Sequence, residues 1–174
     1  MLIATQQPGV TLHAATREDV GLILALIREL AVYEREPDAV RADESTLAEQ
    51  LFGERPAAEV VIARVDGEAA GFALFFHNFS TWLGQRGLYL EDLFVRPQFR
   101  GRGAGLALMA HLARLAVERD CGRFEWSVLD WNTPAIDFYR QLGATGMDEW
   151  TVQRLTGPAL LALADRAGAA QDPA

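Results

Sequence analysis

Between Leu88 and Gly105 the chain reads LYLEDLFVRPQFRGRGAG, an apolar strand-like run that leads through three alternating glycines into a helical pattern. Gly101, Gly103 and Gly105 let the backbone turn tightly and approach a ligand closely. Exposed N–H groups at a helix start, with the helix dipole behind them, favour an anion. Arg100 and Arg102 add positive charge, so a phosphate or pyrophosphate is the natural occupant. Two familiar phosphate loops do not fit. A dinucleotide fingerprint, G-x-G-x-x-G, would place its third glycine where Leu106 stands. A Walker loop needs a lysine, and every one of the 16 basic residues is arginine. A plain strand-to-helix connection is the remaining alternative, although such connections rarely carry three alternating glycines and two arginines.

The flanking pattern alternates strands and helices. Val10 to Ala14 reads as a strand, and Thr16 as the N-cap of a helix whose stripe is Leu22, Ile23, Leu26, Ile27 and Leu30. Pro37 ends that element, and Ser45 to Phe52 suggests a second helix. Glu59 to Val65 and Ala69 to His77 are rich in β-formers around Asp66-Gly67, the dipeptide of a type I′ hairpin. Asn78 to Gly87 reads as irregular, with Trp82 as a packing anchor. Gly87 to Val95 is a strand, and Ala104 to Asp120 a helix striped by Leu108, Leu112 and Leu115. Arg123 to Leu129 is a strand. Thr133-Pro134 opens a short helix as N-cap and N1, and Gly143 closes it. A last strand, Thr145 to Arg154, precedes a small helix led by Pro158, and Gly168 to Ala174 is expected to fray. The order β-α-α-β-β-β-α-β-α-β describes an α/β (α+β) mixed sheet, read as a single domain over 1–174 with its core at about 10–165.

Composition removes other functions. The net charge of −8 argues against nucleic acid, whose binding depends on clustered cations; it suits a cationic ligand as well as plain solubility. One cysteine, Cys121, excludes an internal disulfide, and with only His13, His77 and His111 to join it no metal site is expected. No run approaches the roughly 20 apolar residues of a membrane span. Met1 to Gly9 lacks a basic n-region and a sustained apolar stretch, so the reading predicts no signal peptide, no membrane partner and a cytoplasmic location.

Arg100-Gly101-Arg102-Gly103-Ala104-Gly105 resembles the R/Q-x-x-G-x-G/A signature of the Gcn5-related N-acetyltransferases (GNAT). That resemblance implies a GNAT fold and acetyl-CoA as cosubstrate. It also implies that the loop's amides, through Leu106, hold the cofactor's pyrophosphate, and that Leu93, Phe94 and Val95 offer backbone groups to its pantetheine arm. LDWNTPAIDFYRQLGA, Leu129 to Ala144, resembles the family's W-N-x-x-x-x-x-F-Y-x-x-x-G-A pattern. By that resemblance Asn132, Thr133, Pro134 and Ala135 lie along the cofactor, and Tyr139 beside the sulfur. IRELAVYE, GERP, WLGQRGLYLEDLFV and Trp150 are similar to the diamine (spermidine/spermine) and thialysine acetyltransferase branch. The branch implies a homodimer acting on a small primary amine, with Tyr33, Glu34, Trp82, Glu91 and Asp92 as substrate contacts. Thr145 to Glu149 is shorter than the branch pattern, so no contact is carried over to Asp148.

The chemistry sets its own demands. An aliphatic amine with a pKa near 10.4 must lose a proton at a cost of about 4–5 kcal/mol at pH 7. A base or a water chain has to favour that loss, and a positioned N–H can stabilise the oxyanion that follows. Glu91 and Asp92 interrupt an apolar strand, where a buried carboxylate is costly unless paired. Alternation puts them on opposite faces, and the resemblance favours Glu91 as base. A carboxylate satisfying backbone groups at a strand irregularity is the competing reading, weightier for Asp92. Tyr139, protonated at neutral pH, is the candidate acid for the departing thiolate. Two alternatives remain: acetylation of another amine, such as an aminoglycoside or a protein N-terminus, and a noncatalytic acyl-CoA-binding module.

Overall fold

The computed structural model describes residues 2–167, which form two compact units dividing between Ser127 and Val128. The first holds a six-stranded sheet whose spatial order equals its sequence order: β1 (Leu2–Ala4), β2 (Val10–Ala14), β3 (Glu59–Val65), β4 (Glu68–Ser80), β5 (Gln85–Val95) and β6 (Phe124–Trp126). Every neighbouring pair is antiparallel except β5–β6, which is parallel because a helix crosses between them.

Period-2 patterning buries both faces of this sheet. Val60, Ile62, Phe72 and Phe94 pack on one side against Ile23, Leu26, Leu30 and Leu51 of α1 (Val20–Tyr33) and α2 (Glu44–Phe52). The alternate residues Val61, Ala63 and Ala73 are also buried, and α3 (Ala104–Glu118) supplies Leu108, Leu112 and Ala116 to that core. Thr16 caps not α1 itself but the single 3-10 turn Arg17–Asp19 before it, where Asp19 Oδ2 accepts from the Thr16 amide at 2.9 Å; Asp19 is the N-cap of α1. Arg35, at φ 68°, turns the chain out of α1 before Pro37 is reached. Asp43 caps α2, accepting from the Thr46 amide at 2.7 Å. The Asp66-Gly67 turn has positive φ at both positions, 50° and 85°, as a type I′ hairpin requires.

Four expectations are corrected. Residues 78–87 are not irregular: β4 and β5 continue to a tight tip at 81–84, and Trp82, 89 % exposed there, anchors no packing. The strand expected over 123–129 pairs only at Phe124–Trp126. No strand forms over 145–154, where nothing pairs with the chain to satisfy a ladder. At the other end β1 adds an edge strand that its three residues did not announce.

The second unit contains α4 (Thr133–Gln141) and α5 (Gly157–Ala164). Asn132 rather than Thr133 caps α4, its Oδ1 accepting from the Ala135 amide at 3.4 Å. Gly143 closes α4 as expected: its amide donates to Arg140, and the Ala144 amide to Tyr139, a Schellman pattern. Thr156 and Pro158 open α5. The expected fraying of 168–174 falls outside the described residues.

Candidate active site

The site is built on β5, which changes character at Glu91. Phe75 pairs with Leu90 and Leu74 with Asp92, so Glu91 is the extra residue of a β-bulge. The bulge interrupts the simple alternation of the strand, so that Leu90 and Asp92, two residues apart, face opposite sides of the sheet. Asp92, cross-strand from Leu74, sits on the α1 side, half-buried, while Glu91 is exposed. Burial raises the Asp92 carboxyl, and the nearby charges of Glu91 and Glu34 raise it further, to about 6. Burial also raises Glu34, at the C-terminal end of α1. Three carboxylates from α1 and β5 therefore converge, their mutual repulsion awaiting a cation.

Beyond the bulge β5 loses its second neighbour. β6 pairs with Leu88, Tyr89 and Leu90, and among the described residues no strand pairs with Glu91–Val95 along that edge. The Phe94 carbonyl lies against Gly71 of β4, so the peptide groups of its neighbours Leu93 and Val95 face the open edge. Of the three backbone positions expected to hold an extended ligand, Leu93 and Val95 face that way, whereas Phe94 turns its peptide to β4 and buries its ring in the core. An unpaired edge of this kind can add one more extended chain, such as an amide-bearing pantetheine arm.

The strand then runs through a turn at Pro97–Phe99 into the glycine loop. Gly101 and Gly103 have φ of 72° and 85°, and Gly103 is the N-cap of α3 without any side-chain cap. The first intrahelical bond runs from the Ala107 amide to the Gly103 carbonyl. The amides of Ala104, Gly105 and Leu106 thus have no acceptor within the helix and are available to an anion. The two arginines are held by the protein itself. Arg100 donates from Nε to the Val95 carbonyl at 2.9 Å and stacks 4.6 Å from the centre of the Tyr33 ring. Arg102 is ion-paired with Asp66. Arg96 donates to both carboxylate oxygens of Glu29 from Nε and Nη2, at 2.8 and 2.7 Å, and from Nη1 to the Ala69 carbonyl at 2.8 Å.

Within the first unit the structure therefore brings together Tyr33, Glu34, Glu91, Asp92, Leu93, Val95 and the 100–106 loop. It does not bring Trp82 to them, since the hairpin tip lies six residues, roughly 20 Å, along β5 from Glu91. Asn132, Thr133, Pro134, Ala135 and Tyr139 lie in the second unit, at the start and along the length of α4; Asn132 is buried, and the Tyr139 ring packs 5.4 Å from that of Phe138. An open cleft of about 850 Å³ lies at the other end of β4 and β5, lined by His77, Phe79, Arg86 and Arg119, the last of which is ion-paired with Glu59. Sequence reasoning offered a strand irregularity at these carboxylates only as a competing reading and grouped Glu34 with them only by resemblance; the local signal was two adjacent carboxylates in an apolar strand.

A bulged strand with an unpaired edge, leading into helix-start amides that lack intrahelical acceptors, is an arrangement able to take an extended, anion-bearing ligand beside a cluster of carboxylates. The sequence model of the acetyltransferase (GNAT) family matches residues 24–144, and the chain belongs to that family. It is an acetyl-CoA-dependent N-acetyltransferase. It is similar to a thialysine N-epsilon-acetyltransferase of Sus scrofa, 38 % identical over 169 residues that cover 91 % of this chain and 99 % of that protein. An L-ornithine N5-acetyltransferase of Arabidopsis thaliana is 34 % identical, covering 87 % of this chain and 86 % of its own. Among solved structures, an integron cassette protein from V. cholerae superposes with a TM-score of 0.75 at 31 % identity, over 90 % of this chain and 98 % of that one.

Proposed function

We propose that this enzyme moves the acetyl group of acetyl-CoA to a primary amine of a small, lysine-like amino acid or polyamine. The observation that carries the reading is the convergence of Glu34, Glu91 and Asp92 at the bulge, directly upstream of the glycine loop. Three carboxylates without a basic partner among them suit an ammonium group and disfavour an anionic acceptor. The names of similar proteins, which act on thialysine and ornithine, agree with that chemistry.

In this reading the amides of Gly101 to Leu106 hold the diphosphate, and the peptide groups of Leu93 with the amide of Val95 hold the pantetheine arm and polarise the acetyl carbonyl, the Val95 carbonyl being held by Arg100. Asp92 and Glu34 bind the ammonium, with Tyr33 beside them. Glu91, exposed at the bulge, takes the proton directly or through water as the amine attacks the thioester carbon. The C–N bond forms, the C–S bond breaks, and Tyr139 protonates the departing thiolate. Asn132, Thr133, Pro134 and Ala135 line the cofactor. The family match runs without a break across the Ser127–Val128 boundary, which supports one functional domain.

We further propose a cytoplasmic homodimer. Its support is apolar surface that water does not tolerate in quantity: in the second unit Trp150, Val152 and Leu161 are 70, 76 and 67 % exposed, with Met147, Leu160 and Leu163 beside them in sequence. Trp82 serves as a substrate contact only if a second copy presents it. Sedimentation at micromolar concentration tests the dimer. The substrate is tested by a panel of thialysine, lysine, ornithine, spermidine, an aminoglycoside and a peptide with a free N-terminus, with released thiol as the readout. Preference for the small diamines is expected; turnover confined to the aminoglycoside or the peptide overturns the assignment.

A further inference from the structure

The N-terminal hairpin ends beside the glycine loop, in a segment that the family match, beginning at residue 24, does not include. Its turn is rigidly built. Thr5 Oγ1 accepts from the Gln7 amide at 3.1 Å and donates to the Val10 carbonyl at 2.8 Å, and the Val10 amide donates to the Gln7 carbonyl at 3.1 Å. The Asp66 amide donates to the Gly9 carbonyl at 2.9 Å, and Asp66 in turn holds Arg102. Three turns, at 5–9, 66–67 and 101–103, are thereby locked into one end of the sheet.

The side chain of Gln7 lies directly over Gly103. A Cβ placed on Gly103 would stand 2.6 Å from Gln7 Oε1 and 3.0 Å from its Cγ. The Gln7 carboxamide is half-buried, and no hydrogen bond to it occurs among the described residues. A carboxamide turns end for end by rotation about its last bond, so either its oxygen or its NH2 group can face the loop. A diphosphate presents only acceptors there, and the NH2 end answers them.

We propose that Gln7 is a cofactor-binding residue, donating a hydrogen bond from its side-chain NH2 to a diphosphate oxygen of coenzyme A held by the amides of Ala104, Gly105 and Leu106. The proposal rests on the glycine loop being the cofactor's diphosphate site. It gives the short β1 strand a function: pairing with β2 fixes the turn that delivers Gln7. It also accounts for the need for glycine at 103, where any side chain would displace Gln7 as well as strain the left-handed backbone.

The test compares two acetyl donors, acetyl-CoA and S-acetylpantetheine, which lacks the diphosphate. Loss of one hydrogen bond to a charged acceptor corresponds to about a tenfold or greater effect. In Gln7→Ala, kcat/KM for acetyl-CoA is expected to fall about tenfold more than kcat/KM for S-acetylpantetheine, with kcat at saturating acetyl-CoA retained. Gln7→Glu, isosteric but anionic and without the donor, is expected to weaken CoA binding in calorimetry more than Gln7→Ala does. The exposed neighbour Gln6→Ala serves as control, with both donors unaffected. Equal losses on the two donors, or wild-type CoA affinity in Gln7→Ala, overturn the proposal for Gln7 alone. Absence of CoA binding to the wild-type chain overturns the diphosphate site itself, and Gln7 with it.

Discussion

One strand carries two regimes. From Leu88 to Leu90, β5 is paired on both sides, and Leu88 and Leu90 are fully buried. From Glu91 to Val95 it is paired on one side only and carries two carboxylates, one of them held far above its ordinary pKa. The first half is optimised for cohesion, whereas the second retains unpaired edge groups and mutually repelling charges, both of which oppose stability. The boundary is the single extra residue at Glu91. Up to Leu90 cohesion dominates, and beyond the bulge Phe94 still turns into the core while its neighbours do not, all within the eleven residues of β5.

That separation can be broken at either end, and the largest effect belongs to the cohesive half. Leu90→Ala is expected to lower unfolding free energy by about 3 kcal/mol, read by urea denaturation, while the amine KM of the folded fraction stays unchanged. Asp92→Asn should act with the opposite sign. A carboxyl whose pKa rises on folding binds its proton more tightly in the native state, so stability declines as pH climbs from about 4 to about 6 and is level above. The substitution removes that loss: a gain of about 1–3 kcal/mol is expected at pH 8, vanishing below about pH 4, accompanied by a higher KM for the amine. A destabilised Asp92→Asn protein at pH 8 would erase the distinction between the two halves.

Smaller effects sharpen the contrast. Tyr139→Phe is expected to lower kcat at least about tenfold while CoA affinity in calorimetry holds, as befits a proton donor outside β5. Unchanged turnover removes Tyr139 from the mechanism. Trp82→Ala, at the exposed tip, should shift stability by less than about 0.5 kcal/mol, yet raise the amine KM several-fold if a second copy presents the ring. An unchanged KM confines the acceptor pocket to one chain.

Local chemistry was legible in the sequence wherever the determinant was local. Asp66-Gly67 announced its hairpin because only positive φ at both positions closes that turn, and the three glycines announced the loop before α3. The helix stripes read correctly for the same reason. A strand irregularity at Glu91-Asp92 stood only as the competing reading, because its existence depends on how β4, more than ten residues away, registers against β5; period-2 alternation taken strand by strand has no access to that. Trp82 was misread because a tryptophan between two β-rich runs has the same composition whether it anchors a core or crowns a hairpin. The strand expected at 145–154 had apolar content but no partner to pair with, and β1 had a partner but only three residues to show for it. Glu91 and Asp92 were identified as candidates, whereas the approach of Glu34, which turns two carboxylates into a pocket, is a tertiary fact.

Three braces around the site are guanidinium groups: Arg96 on Glu29, Arg100 over Tyr33 and Arg102 on Asp66. An enzyme that acylates primary amines, working in a pool of reactive thioester, presents no lysine ε-amine to its own reagent, because the chain contains no lysine. One engineered lysine on its surface would report ε-amine self-acylation with no native lysine to compete.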